Sequence, residues 1–357
     1  MKTVFFSFSI TNSSLTDYFV TVCNKLAKDY RVVVITDRVV ENPFQISPEI
    51  VILKWPSARP TTLKAFLFLV KMVLEYRPVT MISMFGSMNI FVIAGYLLRI
   101  KNRIAWNHSM YAKTTADSWR NRRKKRIFQL ATHVFTNSEA TRRDLESFFD
   151  VPGKKIAVIY NAVREHQRQS QDYDADSILF FGRFHPAKGL DVLLAAMPEI
   201  ISRFPKVKLT IFGAKTDGPI AESYREKARQ LQILDNVEFG GNLPQQQVTA
   251  ELSTANFCIV PSFLEAFGFV VIESFSVGTP VVGSNTSGIA EVLREGRDGL
   301  LFEPGNPAAL AEKAIAMLAD PEFRDRCAAN CHEHFRQNFE LEKVTDNLRS
   351  VIDAISR

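Results

Sequence analysis

The stretch SILFFGRFHPAKGLDVLLAAM, Ser177 to Met197, decides the fold. It opens on a short apolar run, Ser177 to Phe181, closed by Gly182, which reads as a buried strand. From Leu190 an amphipathic pattern runs to Phe204 and reads as a helix. Strand, glycine-punctuated loop and helix in that order make the opening of a βαβ unit. Just before it lies REHQRQSQDYDAD, Arg164 to Asp176, which is polar, without periodicity and the best linker in the chain.

On both sides of that linker the same rhythm is legible. Upstream, strand-like runs at Val4–Phe8, Arg31–Thr36, Val79–Phe85, Arg103–Asn107, Ala131–Asn137 and Lys155–Ile159 alternate with helical segments. Those helices are Thr16–Lys28, Thr62–Tyr76, Asn89–Arg99 and a segment through Phe149 capped by Ser138. Downstream, strands at Lys208–Phe212, Val237–Phe239, Phe257–Val260 and Pro280–Gly283 alternate with helices at Ile220–Leu231, Gln245–Ser253 and Val270–Val277. A turn-rich stretch and three helices, Pro307–Leu318, Pro321–Phe335 and Leu341–Ile355, finish the chain. Short β-branched strands alternating with helices predict parallel sheets covered on both faces. The fold class is therefore α/β with two Rossmann-like domains in tandem, expected at residues 1–165 and 166–340. Residues 341–357 are expected to form a helix packing back on the first domain. A length of 357 residues suits two cores better than one.

Composition is that of a globular protein, 46% hydrophobic and 23% charged, which excludes disordered and low-complexity classes. The four cysteines, Cys23, Cys258, Cys327 and Cys331, show no disulfide framework and point to a reducing compartment. A zinc site from Cys327, Cys331, His332 and His334 is conceivable, but the cluster is expected on the surface of a charged helix, and no metal is assigned. The opening MKTVFFSFSI reads as a core strand, not a signal peptide. Ala65–Val70 and Ile90–Leu98 are too short to span a bilayer.

Charge is unevenly placed. Residues 1–165 carry 25 Lys and Arg against 12 Asp and Glu, whereas the remainder is net acidic. The densest run is WRNRRKKR, Trp119 to Arg126. It lacks a nucleic-acid reading module or stacking aromatics, so nucleic acid is not expected as a partner. A solvated basic helix is one reading, and an anionic membrane surface contacted through Arg120–Arg126 is the other. Leu63-Lys64-Ala65-Phe66-Leu67-Phe68-Leu69-Val70-Lys71 is apolar and basic enough to share that surface, or to pack in a core.

Two loops carry chemistry-bearing residues. In the opening stretch Arg183 and Lys188 follow a strand and precede a helix, a setting that suits a diphosphate. It suits equally an ordinary basic turn. In PSFLEAFGFVVIES, Pro261 to Ser274, Glu265 falls in the loop after a strand and Glu273 inside the next helix, with Gly268 near the helix start. Two separated carboxylates can accept hydrogen bonds from two parts of one hydroxyl-rich ligand. A carboxylate set among FGFVVIESFSV is costly to bury without a partner. Neither a P-loop nor a G-x-G-x-x-G sequence is present in the first unit.

Together these motifs resemble the GT-B family of retaining glycosyltransferases, of the family 4 or group 1 type. The resemblance rests on Gly182-Arg183-x4-Lys188-Gly189 and on Glu265-x7-Glu273 followed by Ser276-Val277-Gly278-Thr279-Pro280. Gly288-Ile289-Ala290-Glu291 and Asp298-Gly299-Leu300-Leu301-Phe302 add to it. It is dense over residues 178–305 and thin over the N-terminal half. The resemblance implies two Rossmann-like domains facing across a cleft. It implies that Arg183 and Lys188 hold the diphosphate of a UDP- or GDP-sugar, that Glu273 holds the ribose, and that Glu265 lies near the transferred sugar. Main-chain N–H groups of Ala266, Phe267, Gly268 and Phe269 would line sugar and phosphate, with the base near Gly213 and Leu243. His108, in IAWNHSM, matches the family's donor-site histidine; as a residue it could equally be a satisfied loop histidine.

The implied reaction moves a glycosyl group to a hydroxyl of a glycan or lipid-linked acceptor, with no required cofactor, in the cytoplasm or at the inner face of the plasma membrane. A GT-B-like sugar-nucleotide epimerase, or a non-catalytic membrane-associated protein on the same fold, are the alternatives. One departure stands out: the loop after the first strand, Ser7 to Ser14, contains no glycine where family members carry several.

Overall fold

The computed structural model describes residues 1–40, 44–58, 60–111, 119–166, 173–213 and 218–356, with the backbone alone of Arg120. The chain divides into two compact units, one of Met1–Ala162 with Leu341–Arg357, the other of Val163–Glu340. Residues 167–172 of the expected linker lie outside the described residues.

In the first unit, seven described strands form one parallel sheet. They are β1 (Thr3–Ser7), β2 (Arg31–Thr36), β3 (Val51–Lys54), β4 (Thr80–Met84), β5 (Asn102–Asn107), β6 (His133–Thr136) and β7 (Ile156–Val158). Their order is β3-β2-β1-β4-β5-β6-β7. The helices are α1 (Ser14–Leu26), α2 (Leu63–Tyr76), α3 (Met88–Leu97), α4 (Trp119–Leu130) and α5 (Glu139–Phe149). Strand β1 is buried at every position, the signature of a strand covered on both faces. Phe5, with its partner Val33, packs under α2 and α3, while Phe6 and Val34 pack under α1. Strand β3 is a short edge strand that the sequence pattern did not separate from its surrounding loop.

The second unit holds β8 (Asp174–Phe181), β9 (Lys208–Phe212), β10 (Val237–Gly241), β11 (Ala255–Val260), β12 (Val281–Ser284) and β13 (Gly299–Phe302). Its sheet is again parallel, ordered β10-β9-β8-β11-β12-β13 among the described residues. Helices α6 (Leu190–Arg203), α7 (Pro219–Gln230), α8 (Gln245–Thr254), α9 (Phe269–Phe275), α10 (Ser287–Val292), α11 (Pro307–Ala319) and α12 (Pro321–Asn338) cover it. The turn-rich stretch after Gly283 thus contains a helix, α10, and an edge strand, β13. Cys327 and Cys331 are buried in α12, not on a helix surface as the charged sequence around them suggests. They occupy the apolar face of α12, which also buries Phe335.

Helix α13 (Leu341–Ser356) returns to the first unit and packs on α1. Leu341, Val344, Leu348 and Ile352 recur at helical spacing and join the cluster around Tyr18 and Val22. Its last carbonyls are satisfied from outside the helix: Lys2 Nζ donates to Ser356 O at 3.0 Å and Asn102 Nδ2 to Ile355 O at 2.8 Å. At its other end Lys25 pairs with Glu342 and Asp346.

In a doubly wound sheet, ligands bind outside the carboxyl ends of the two strands where the order reverses. In the second unit those strands are β8 and β11, and in the first they are β1 and β4. The β8/β11 position carries the sequence-selected Arg183, Lys188 and Glu265, whereas His108 leaves β5, one strand beyond β4.

Candidate active site

At the second unit's switch point the loops leaving β8 and β11 are fused. Leaving β8, Gly182 and Arg183 lead into a 3-10 turn, Pro186–Lys188, whose start is capped by His185 Nδ1 accepting the Ala187 N–H at 3.1 Å. Gly189 follows with φ 70°, and a Cβ there would lie 1.9 Å from the carbonyl oxygen of Pro261. Only glycine lets the two loops approach so closely. The Phe263 N–H then donates to Ala187 O at 2.9 Å and ties them together.

The β11 loop is gripped from its other side as well. Ser284 Oγ donates to Ser262 O at 2.5 Å and Thr286 Oγ1 to Phe263 O at 3.1 Å. The Gly288 N–H donates to Glu265 O at 3.0 Å, and a side chain at Gly288 would strike the backbone of Ala266 and Phe267. Phe267 is buried against Phe339, and Gly268, at φ 97°, turns the chain into α9 at Phe269. A loop pinned at four backbone positions presents its side chains from a rigid support.

Those supports bring Lys188 and Glu265 together: Lys188 Nζ lies 2.5 Å from Glu265 Oε2, both side chains partly exposed. Arg183 is exposed in the same β8 loop. Glu273 sits in α9 and is 7% exposed, with Gln245 Nε2 donating to its Oε1 at 2.8 Å. Gln245, the first residue of α8, is a partner of Glu273 that motif reading missed; a lone glutamine at a helix start carries no sequence signal. Burial first, and the negative Glu273 second, raise the Cys258 thiol above its ordinary range. Gly213 directly follows β9, its N–H donating to Gly241 O at 2.8 Å, and Leu243 lies half-buried beyond β10. Residues 214–217 beside Gly213 lie outside the described residues.

A buried ion network lies further along the same unit. Asp298, fully buried, accepts from Arg294 Nε at 2.7 Å and Nη2 at 2.6 Å, and from His334 Nδ1 at 2.8 Å. Burial alone would raise its carboxyl, but the Arg294 and His334 hydrogen bonds outweigh it and hold the group below its usual value. His334 is thus committed to Asp298. Among the described residues no group of three or more His, Cys, Asp or Glu could hold a metal ion.

In the first unit His108 leaves β5 between two aromatic faces. Its ring stacks on Phe85 at 5.3 Å and on Trp106 at 5.5 Å, with the Phe19 edge at 5.8 Å. Burial pulls its pKa down to about 3, which keeps the ring neutral. Its Nε2 is buried without a hydrogen-bond partner among the described residues. At the neighbouring loop, Ser13 caps α1 by accepting the Thr16 N–H, and Thr11 joins their hydroxyl cluster. This capping takes the place of a glycine-rich turn.

The basic run in α4 divides by neighbour. Lys124 Nζ donates to Tyr111 OH at 2.6 Å, Lys125 pairs with Asp150, and the Arg123 guanidinium lies over the Trp119 ring at 4.8 Å. Arg122 and Arg126 face solvent. On α2, Leu63, Leu67 and Leu74 are exposed along one helical stripe. Among the described residues no helix is long and apolar enough to cross a membrane.

Comparison with known proteins agrees with this architecture. Residues 163–334 match the family described as glycosyl transferases group 1, and residues 16–167 match glycosyltransferase family 4. A D-inositol 3-phosphate glycosyltransferase of Corynebacterium efficiens is 34% identical over 246 residues, 64% of this chain and 58% of that protein. The chain therefore spans little more than half the length of the curated relatives it matches. Among solved structures, sucrose-phosphate synthase from Thermosynechococcus elongatus superposes with a TM-score of 0.80 at 20% identity, covering 99% of both chains. An Anabaena protein in complex with UDP superposes at 0.78 with 17% identity, covering 99% of this chain and 100% of that one. With two parallel-sheet units of GT-B type and family matches that together run from residue 16 to residue 334, the chain belongs to the group 1, family 4 glycosyltransferases.

Proposed function

We propose that this chain transfers a sugar, with retention, from a nucleoside-diphosphate donor to a hydroxyl of a glycan or lipid-linked acceptor. The observation that carries the reading is the Lys188–Glu265 pair at 2.5 Å, held by loops fused at the β8/β11 switch point. In this reading Lys188 and Arg183 hold the diphosphate and take up the charge that develops as it leaves. Glu265, released from Lys188 by the incoming phosphates, accepts hydrogen bonds from the sugar. Glu273, oriented by Gln245, accepts from the ribose hydroxyls. Main-chain N–H groups of Ala266, Phe267, Gly268 and Phe269 lie along sugar and phosphate, and the base lies by Gly213 and Leu243. His108 contributes as a neutral imidazole. No cofactor besides the donor enters the reaction. The similar Anabaena protein, solved with UDP, supports a uridine donor.

We place the protein in the cytoplasm, at the inner face of the plasma membrane, by the exposed leucine stripe of α2 flanked by Lys64 and Lys71, together with Arg122 and Arg126 of α4. Leu67→Glu with Leu74→Glu should abolish flotation with anionic vesicles, and unchanged flotation refutes the membrane contact. For the main reading, ligand-observed NMR across UDP- and GDP-sugars should show one base binding, with the signal lost in Lys188→Ala. Absence of binding by every nucleotide sugar would refute it.

A further inference from the structure

The sheet of the second unit has two edge strands, and the chain treats them differently. Beside β13 the edge is closed from within: Glu295 bridges Gly299, and its carboxylate accepts the Leu301 N–H. At β10, the other edge, the outer side is open; among the described residues no further strand pairs with it and no side chain hydrogen-bonds to the backbone of Val237–Gly241. An open strand edge is a template for another strand, and folded proteins usually block it. Along β10 runs a groove of about 620 Å³, lined by Leu234, Val237 and Phe239 and by Arg225 and Arg229 of α7. We infer that this edge joins two copies of the chain across a twofold axis, β10 pairing antiparallel with its counterpart and α7 lying against α7.

The flanks of α7 identify the occupant. Ala221, Tyr224 and Ala228 are its buried face. Lys227 pairs with Asp191 at the start of α6, Nζ to Oδ1 2.8 Å, so that flank faces the neighbouring helix. Glu222, Arg225, Glu226 and Arg229, at i, i+3, i+4 and i+7, form the opposite flank, which points along the β10 edge. The Arg225 guanidinium lies 5.2 Å from the ring centre of Phe239 in β10, so α7 rides over that strand.

Across a twofold axis residue i faces residue j, and j faces i. With the axis between Arg225 and Glu226, Glu222 faces Arg229 and Arg225 faces Glu226 of the second copy. Every facing pair is then opposite in sign, whereas a parallel arrangement in register would set like against like. A flank of two acids and two bases has no net charge to attract a polyanion or a basic peptide, yet it is complementary to itself. The four side chains are between 34% and 62% exposed, which leaves them open to a partner. Within α7 Arg225 already pairs with Glu222 at 3.6 Å and Arg229 with Glu226, so the second copy joins two pairs into a network.

Exposed ion pairs are individually weak, so these charges set orientation and register. Main-chain bonds between the two β10 strands and burial of Leu234, 42% exposed, hold the copies together. Paired strands lie about 4.8 Å apart, which brings two helices riding over the edge to about the 8–10 Å at which helices pack. Strand β9 separates β8 from this edge, so the loops that carry Lys188 and Glu265 stay clear of the interface.

Sedimentation velocity of the full chain over a concentration series tests this. The wild type should approach twice the 40.4 kDa of one chain. Arg225→Glu with Arg229→Glu makes the flank wholly acidic, and Glu222→Lys with Glu226→Lys makes it wholly basic. Each double variant alone should self-associate at least tenfold more weakly, with thermal melting confirming the fold. Mixed in equal amounts, the acidic and basic chains should regain the dimer, because every facing pair is again opposite in sign. A wild type that is monomeric at ~100 μM overturns the proposal. So do variants that dimerise as tightly as the wild type, or a mixture that associates no better than its two components.

Discussion

Lys188 and Glu265 lie 77 positions apart in sequence and 2.5 Å apart in the fold, each presented by a loop at the carboxyl end of a central strand. The pair holds a cation in place, and in the proposed reading its carboxylate yields when the donor's phosphates compete. Lys188→Ala should therefore lower kcat/KM for the donor by about 10²-fold, as loss of one transition-state donor does. Glu265→Gln should lower turnover while leaving nucleoside-diphosphate affinity unchanged or tighter, since the lysine is freed. Steady-state release of nucleoside diphosphate with titrated donor checks both, and a Lys188→Ala enzyme with wild-type kinetics would refute the phosphate role.

Loop fusion makes Gly189 the structural weak point of that arrangement. Alanine there meets Pro261 O at 1.9 Å and must also hold φ 70°. Gly189→Ala should cost more than about 2 kcal/mol, from clash and backbone strain together. Gly218→Ala, where nothing among the described residues lies within 4 Å, should cost under about 1 kcal/mol. Urea midpoints of the two variants decide it; equal losses would mean that the loops separate easily.

The contrast between those glycines shows what was legible. Strand–helix alternation was clear because buried parallel strands such as β1 and β11 are unbroken apolar runs, and the Gly182 to Gly189 loop is punctuated where the chain must turn. The edge strands β3 and β13 were not: β3 has four residues that alternate toward solvent, and β13, although largely buried, is only four residues long, so neither leaves enough pattern. Cys327 and Cys331 misled in the opposite sense, since α12 is charged on its outer face and buries them on the inner one. Gln245 and Tyr111 were invisible because each matters through a partner distant in sequence: Glu273 lies 28 positions from Gln245 and Lys124 lies 13 from Tyr111.

His108 gives a direct electrostatic prediction. Its folded pKa, about 3, lies below the ordinary histidine value of about 6.5, so the unfolded chain takes up the proton first. Stability from this residue is fully present above about pH 6.5 and is lost as pH falls toward 3. Between pH 7 and 5 the His108 imidazole resonances should stay those of a neutral ring. His108→Gln should flatten the acid limb of the urea midpoint against pH. A histidine signal that titrates near 6.5 would show that the stack between Phe85 and Trp106 is open to water.

Asp298 should behave in a related way at lower pH. Its carboxyl is fully buried and satisfied by Arg294 and His334, so Asp298→Asn leaves donors facing an amide that cannot accept from all of them. Removing one partner from a buried pair typically costs about 3–5 kcal/mol, and Arg294, 34% exposed, recovers part of this from water, so a loss of about 2 kcal/mol is expected. Because the folded carboxyl lies below its ordinary value of about 3.9, the wild-type advantage is complete above that pH and closes as pH falls through the depressed folded value. Guanidinium unfolding of both proteins from pH 7 to pH 3 should show a constant gap to about pH 4 and a narrowing one below it. A gap already shrinking between pH 7 and 5 would mean that protonation of another group, and not of Asp298, breaks the network.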